Sequence, residues 1–133
     1  GEDGWEWEKI IDVENEPHPE WPLPVPGVMS AILVSMDDKY LYLNNWLHGD
    51  MRQYDITDPH NPVLTGQVYM GGLLGKAPVV NGGVMVQIDC DPVHGGMAIN
   101  PDFIVDFGQE PTGPSRCHEA RYPGGDCTSD IWL

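Results

Sequence analysis

Met29-Ser30-Ala31-Ile32-Leu33-Val34-Ser35-Met36, Tyr40-Leu41-Tyr42-Leu43-Asn44-Asn45-Trp46-Leu47, Met51-Arg52-Gln53-Tyr54-Asp55-Ile56 and Val63-Leu64-Thr65-Gly66-Gln67-Val68-Tyr69-Met70 are the four runs whose reading decides the fold. Between them stand Asp37-Asp38-Lys39, His48-Gly49-Asp50 and Thr57-Asp58-Pro59-His60-Asn61-Pro62, and Gly71-Gly72 closes the last run. Short runs rich in Val, Leu, Tyr and Trp, split at even spacing by Asp, Gly, Asn and Pro, predict antiparallel strands of an all-β fold. The first run is apolar throughout while the third alternates. That gradient predicts a sheet covered on both faces at its first strand and half exposed further out, as in a β-propeller blade whose first strand lines the central channel. A blade takes about 40–45 residues, and residues 29–72 supply one complete blade.

Working outward, Trp5-Glu6-Trp7-Glu8-Lys9-Ile10-Ile11-Asp12-Val13 is expected to be a strand, the outer one of a preceding blade. Pro17, Pro19, Pro22, Pro24 and Pro26 follow. Prolines at this density forbid helix and central strand, so residues 1–28 are read as an outer strand plus an extended, polyproline-like connection. On the other side, Val84-Met85-Val86-Gln87-Ile88-Asp89-Cys90 ends at Asp91-Pro92, as the third run ends at Asp58-Pro59, and residues 97–107 then form an outermost strand. By this register residues 73–107 are an incomplete blade that has its third and fourth strands and lacks its first two. Residues 108–133 read as a loop followed by a short closing strand at 129–133.

The 133 residues make one ordinary domain, and 16 Gly with 13 Pro favour many short turns over helices. Twenty-one acids against 6 bases, a formal net charge of −15, argue against nucleic acid, since phosphate binding needs clustered Lys and Arg. The same balance disfavours anionic membrane surfaces. No apolar run reaches the roughly 18 residues of a membrane span, and no signal peptide is read. Cys90, Cys117 and Cys127 form no CxxC pair and leave one thiol over, which points to a reducing compartment. Gly1 in place of Met, together with the incomplete blade, suggests a piece of a longer polypeptide with open sheet edges through which copies can associate.

Strands of a blade run alternately up and down, so the second connection and the loop between blades share one end. His48 lies in the second connection and His118 follows an outermost strand, so parity places both imidazoles at the end where functional loops gather. Imidazole pairs suit copper or zinc, although a histidine in a tight turn is more often a turn residue than a ligand. His18, His60 and His94 are expected to be solvated, Arg52 and Arg121 to pair with nearby carboxylates, and Cys127 to be either a thiol site or a buried structural cysteine.

Asn45-Trp46-Leu47-His48-Gly49-Asp50, Arg52-Gln53-Tyr54-Asp55, Asp58-Pro59, Leu64-Thr65-Gly66-Gln67 and the tail His118-Glu119-Ala120-Arg121-Tyr122-Pro123-Gly124-Gly125-Asp126-Cys127-Thr128-Ser129-Asp130-Ile131-Trp132 together resemble the selenium-binding protein family, whose members are methanethiol oxidases. Two long motifs in the right order make the likeness specific. The resemblance implies the C-terminal part of a seven-bladed propeller, with a segment of several dozen residues absent near Asn81-Gly82-Gly83. It implies a copper site with His48 and His118 as ligands, carboxylates of Asp50, Glu119 and Asp126 orienting the rings, and Cys127 as a further candidate. It also implies methanethiol as the small thiol substrate, and a cytoplasmic protein that can also be nuclear or peripheral to membranes. Selenium association is a family property, but the cysteine that carries it lies outside this sequence. On this reading the chain alone is inactive, and a non-catalytic selenium-binding or protein-interaction module, or an inactive shortened form, is the alternative.

Overall fold

The computed structural model describes residues 4–78 and 84–114. Four strands, β1 (Met29–Val34), β2 (Tyr40–Asn45), β3 (Asp50–Asp55) and β4 (Val63–Tyr69), form one antiparallel sheet in chain order. β5 (Val84–Cys90) and β6 (Met97–Asp106) pair as a second, two-stranded sheet, and β7 (Gln109–Glu110) and β8 (Gly113–Pro114) close a small hairpin. No helix occurs among the described residues. The four-stranded sheet and the two-stranded sheet fall on the runs that the sequence reads as strands.

The turns form because Asp side chains satisfy the backbone locally. Asp37 Oδ1 accepts from the Ser35 hydroxyl (2.6 Å) and from the Lys39 N–H (3.3 Å), while Asp38 takes the left-handed conformation at φ 56°. Asp58 accepts from the His60 N–H (3.0 Å) and the Asn61 amide (2.8 Å); Asp91 accepts from the N–H groups of Val93 (2.8 Å) and His94 (3.0 Å). The second sheet thus turns on the same device as the first, which is why its two strands read as the third and fourth of a blade.

The core lies under β2 and β3, the strands paired on both edges. Leu41, Leu43 and Tyr54 form its centre, with Ile11 and Ile56 packed against it. β1 departs from expectation. All six of its residues are exposed, Ile32 to 63%, because it pairs with β2 alone and nothing among the described residues covers its faces. Residues 5–13 also depart: they form no strand, since no strand among the described residues pairs with them, and Trp5 and Trp7 are exposed. The segment is held instead by Ile11 on the core and by a single bridge further on, Glu16 with Val25. Residues 108–114, expected as loop, contain the β7–β8 hairpin.

The two sheets are joined through Gln53, which is fully buried. Its Oε1 accepts from the Gly96 N–H (2.7 Å) and the Thr65 hydroxyl (3.0 Å), and its Nε2 donates to the Tyr42 hydroxyl (3.0 Å). A bulge in the β3–β4 ladder beside Gln53 aims Thr65 at it. Gly66 lets β4 approach β6 closely: a Cβ there would lie 2.9 Å from the Met97 nitrogen.

Candidate functional site

Three connections meet at one end of the first sheet: the chain entering β1, the β2–β3 turn and the exit from β4. The Trp46 N–H donates to the Val28 carbonyl (3.0 Å), Leu47 N–H to Gly27 (3.1 Å), Met70 N–H to Gly49 (2.7 Å) and Leu73 N–H to Leu47 (2.8 Å). The approach is close enough to demand glycine on both sides. Gly49 sits at φ +73° and a Cβ on it would fall 2.1 Å from the Gly71 carbonyl, while one on Gly72, at φ +78°, would fall 2.4 Å from the His48 backbone. Within this blade, then, the second connection and the loop leaving the fourth strand do share an end.

His48 occupies the middle of that junction and is fully buried. Its Nε2 lies 2.8 Å from the Val25 carbonyl oxygen, and its Nδ1 is buried with no hydrogen-bond partner. A buried imidazole nitrogen without a partner is costly unless something occupies it, and Asn45 Oδ1 in the same turn is buried without a partner as well.

Asp50, two residues on, is also buried. It accepts from Asn45 Nδ2 (3.0 Å), Arg52 Nε (2.8 Å) and Gln67 Nε2 (2.6 Å). Burial pushes its carboxyl upward, but these three bonds outweigh that and hold it below the usual carboxylate range. With both oxygens engaged, Asp50 makes no bond to His48; the ring's outer hydrogen bond goes to Val25 instead. Arg52 finds its carboxylate in Asp50, as expected of a scarce base in an acidic chain.

Beside the junction lies an open cleft of about 530 Å³, lined by Asn44, Trp46, Leu47, Asp50, Met70 and Leu73 among others. Trp46 is 71% exposed at its edge. His60 and His94 are solvent-exposed in their Asp-Pro turns, as expected, whereas His18 is half-buried and its Nδ1 accepts from the Glu20 N–H (3.2 Å). His118, Glu119, Asp126, Cys127 and the expected strand at 129–133 lie outside the described residues. Among the described residues no group of three or more His, Cys, Asp or Glu converges.

The family model of the 56 kDa selenium-binding protein matches residues 1–82 and 76–133. This chain belongs to the selenium-binding protein family. It is 39% identical to methanethiol oxidase of Xenopus laevis over 188 residues, covering 97% of this chain and 40% of that protein. It is 43% identical to methanethiol oxidase of Danio rerio over 172 residues, covering 97% of this chain and 38% of that protein. The solved structure of a hypothetical selenium-binding protein from Sulfolobus tokodaii superimposes with a TM-score of 0.65 at 30% identity, over 84% of this chain and 37% of that one. The fold is accordingly that of the selenium-binding protein propeller. The chain spans about 40% of the length of these relatives, and the alignments are longer than the chain itself. The family match also breaks into two parts around residues 76–82, beside the position where the sequence reading expects two strands to be missing.

Sequence reasoning missed the partners of the site: the Val25 carbonyl, Asn45 and Gln67. For Val25 a signal was present, since Pro22-Leu23-Pro24-Val25-Pro26 places an apolar residue between prolines in an otherwise polar connection. Leu23 stands in the same setting and is 70% exposed, so the pattern alone does not single out Val25.

Proposed function

We propose that this chain represents part of a methanethiol oxidase, converting methanethiol, O₂ and water to formaldehyde, hydrogen sulfide and hydrogen peroxide at a copper site. Relatives that carry that name support the reading at the level of the family. The observation that carries it to a residue is the buried, unpartnered Nδ1 of His48. A soft-to-borderline metal fits such an imidazole nitrogen, and copper supplies the electron transfer between thiol and O₂ that zinc does not. Within this chain His48 offers one ligand, and His118 is proposed as a second. Val25 orients the ring of His48, Asp50 stiffens the turn that carries it, and Trp46, Leu47 and Met70 line an open, partly apolar cleft beside that turn where a small thiol can dock.

We propose that the 133-residue chain by itself is inactive, because His48 and the proposed His118 make two ligands where a catalytic metal centre takes three or four. The odd count of cysteines, Cys90, Cys117 and Cys127, is the ground for proposing a reducing compartment such as the cytoplasm. No helix among the described residues is long and apolar enough to cross a membrane. The test pairs copper analysis with peroxide release from methanethiol, on this chain and on an intact relative. Copper and turnover in the intact relative, with no turnover in this chain, is the expected result; a metal-free, inert intact relative would remove the oxidase reading. Relatives named selenium-binding protein, from Mus musculus and Arabidopsis thaliana, favour the second reading, a selenium-binding module without turnover.

A further inference from the structure

The two nitrogens of His48 stand in opposite situations. A carbonyl oxygen only accepts, so the 2.8 Å contact with Val25 puts the hydrogen on Nε2, and in the neutral ring the lone pair is left on the unpartnered Nδ1. The geometry points to the proline-rich connection as a positioning element of the site: the Val25 carbonyl locks His48 in the Nε2–H tautomer, making Nδ1 the atom presented to an electrophile. The inference relies on the copper reading for the electrophile's identity and not for the tautomer.

The connection is built to hold that carbonyl still. Val25 is fully buried between Pro24 and Pro26, whose rings fix φ on both sides. Its N–H donates to the Glu16 carbonyl (2.7 Å), and its carbonyl accepts from the Glu16 N–H (2.9 Å) as well as from His48, so both lone pairs are used. The Glu16 carboxylate is in turn held by Lys76. Just downstream, Gly27 and Val28 carbonyls take the Leu47 and Trp46 N–H groups, tying the connection to the two residues that precede His48. Gly27 has to be glycine for this fit, since a Cβ there would lie 2.7 Å from Val13 Cγ1 and 2.9 Å from Asn45 Oδ1. A ligating histidine generally donates its second ring nitrogen to a carbonyl or carboxylate, which fixes orientation and raises basicity. Here a main-chain group from a remote connection fills that role, which no side-chain substitution at position 25 removes directly.

The test is long-range ¹H–¹⁵N correlation of the histidine rings in ¹⁵N-labelled full chain, by magic-angle spinning if copies associate. His48 should show a protonated Nε2 and an unprotonated Nδ1 as a single tautomer, and Cu(I) should move Nδ1 alone. A ring protonated on Nδ1, an averaged pair of shifts, or Cu(I) acting on Nε2 overturns the proposal. An Nε2–H ring that ignores Cu(I) upholds the strap and counts against the copper reading, which keeps the two failures apart. Replacing both flanking prolines, Pro24→Gly with Pro26→Gly, should lose the single-tautomer pattern at His48 while leaving the exposed rings of His60 and His94 unchanged. Gly27→Ala, which displaces the same connection by its Cβ, should do so to a smaller extent.

Discussion

The sheet of β1–β4 and the pair β5–β6 follow the same local rules and reach different ends. Each closes its Asp-Pro turn with a carboxylate on following N–H groups, and each is rich in Val and Ile. In the first sheet β2 and β3 are paired on both edges and hold the core, whereas in the second both strands are edges and Phe103 and Ile104 stay 40% and 45% exposed. β1 makes the same point inside the first sheet, being as apolar as β2 and exposed along its whole length. Within these two sheets the strands follow local sequence, whereas burial is settled by what lies alongside.

That contrast is broken most severely at the junction of connections that only the complete sheet possesses. Gly49→Ala places a Cβ 2.1 Å from the Gly71 carbonyl in a left-handed conformation. The expected loss is about 3 kcal/mol, from clash and backbone strain together, read as a lower denaturation midpoint. Gly71→Ala, whose Cβ meets nothing within 4 Å, is the matched control and should shift the midpoint by at most about 0.5 kcal/mol.

The link between the sheets comes next. Gln53→Leu keeps the bulk and removes the acceptor for Gly96 and Thr65 and the donor to Tyr42, leaving buried polar groups unpaired at roughly 2 kcal/mol. Hydrogen exchange should rise in β6 well before it rises in β2. Equal acceleration in both would mean that the two sheets open as one unit, contrary to the difference in burial.

Acid sharpens the comparison by a smaller amount. Asp50 is held below its ordinary value of 3.8, so its contribution is fully present above that pH and is lost as pH falls through the lower folded value. Asp50→Asn should cost about 1–2 kcal/mol at neutral pH and should flatten the stability profile of the first sheet below pH 3.8, while β5–β6, which contain no buried carboxylate among their described side chains, respond alike in both proteins.

Much of this was legible beforehand, and the limits are physical. The four runs and the Asp turns state their own structure, because alternation and turn chemistry act over a few residues. The parity that put the His48 turn beside the exit from β4 needed only strand order, and Gly49 against Gly72 bears it out. What did not follow was exposure along β1 and the absence of a strand at residues 5–13, because both depend on a neighbour that no local pattern encodes. The role given to Asp50 misled for a related reason. A carboxylate two residues from a histidine looks available to it, yet register pairs Asp50 with Asn45 and Tyr69 and so delivers it to Asn45, Arg52 and Gln67.

The smallest effect on folding is expected where the largest effect on association lies. β1 offers an unpaired edge bearing Ile32, Leu33 and Val34, and nothing among the described residues shields it. Ile32→Lys should change the stability of the monomer by no more than about 0.5 kcal/mol, because the side chain is 63% exposed to begin with. Sedimentation should nevertheless show less self-association, since a lysine on an edge strand opposes pairing with another copy. If the same substitution destabilised the monomer by several times that amount, β1 would have to be covered in solution, and the distinction between an exposed first strand and a buried second one would fail at its root.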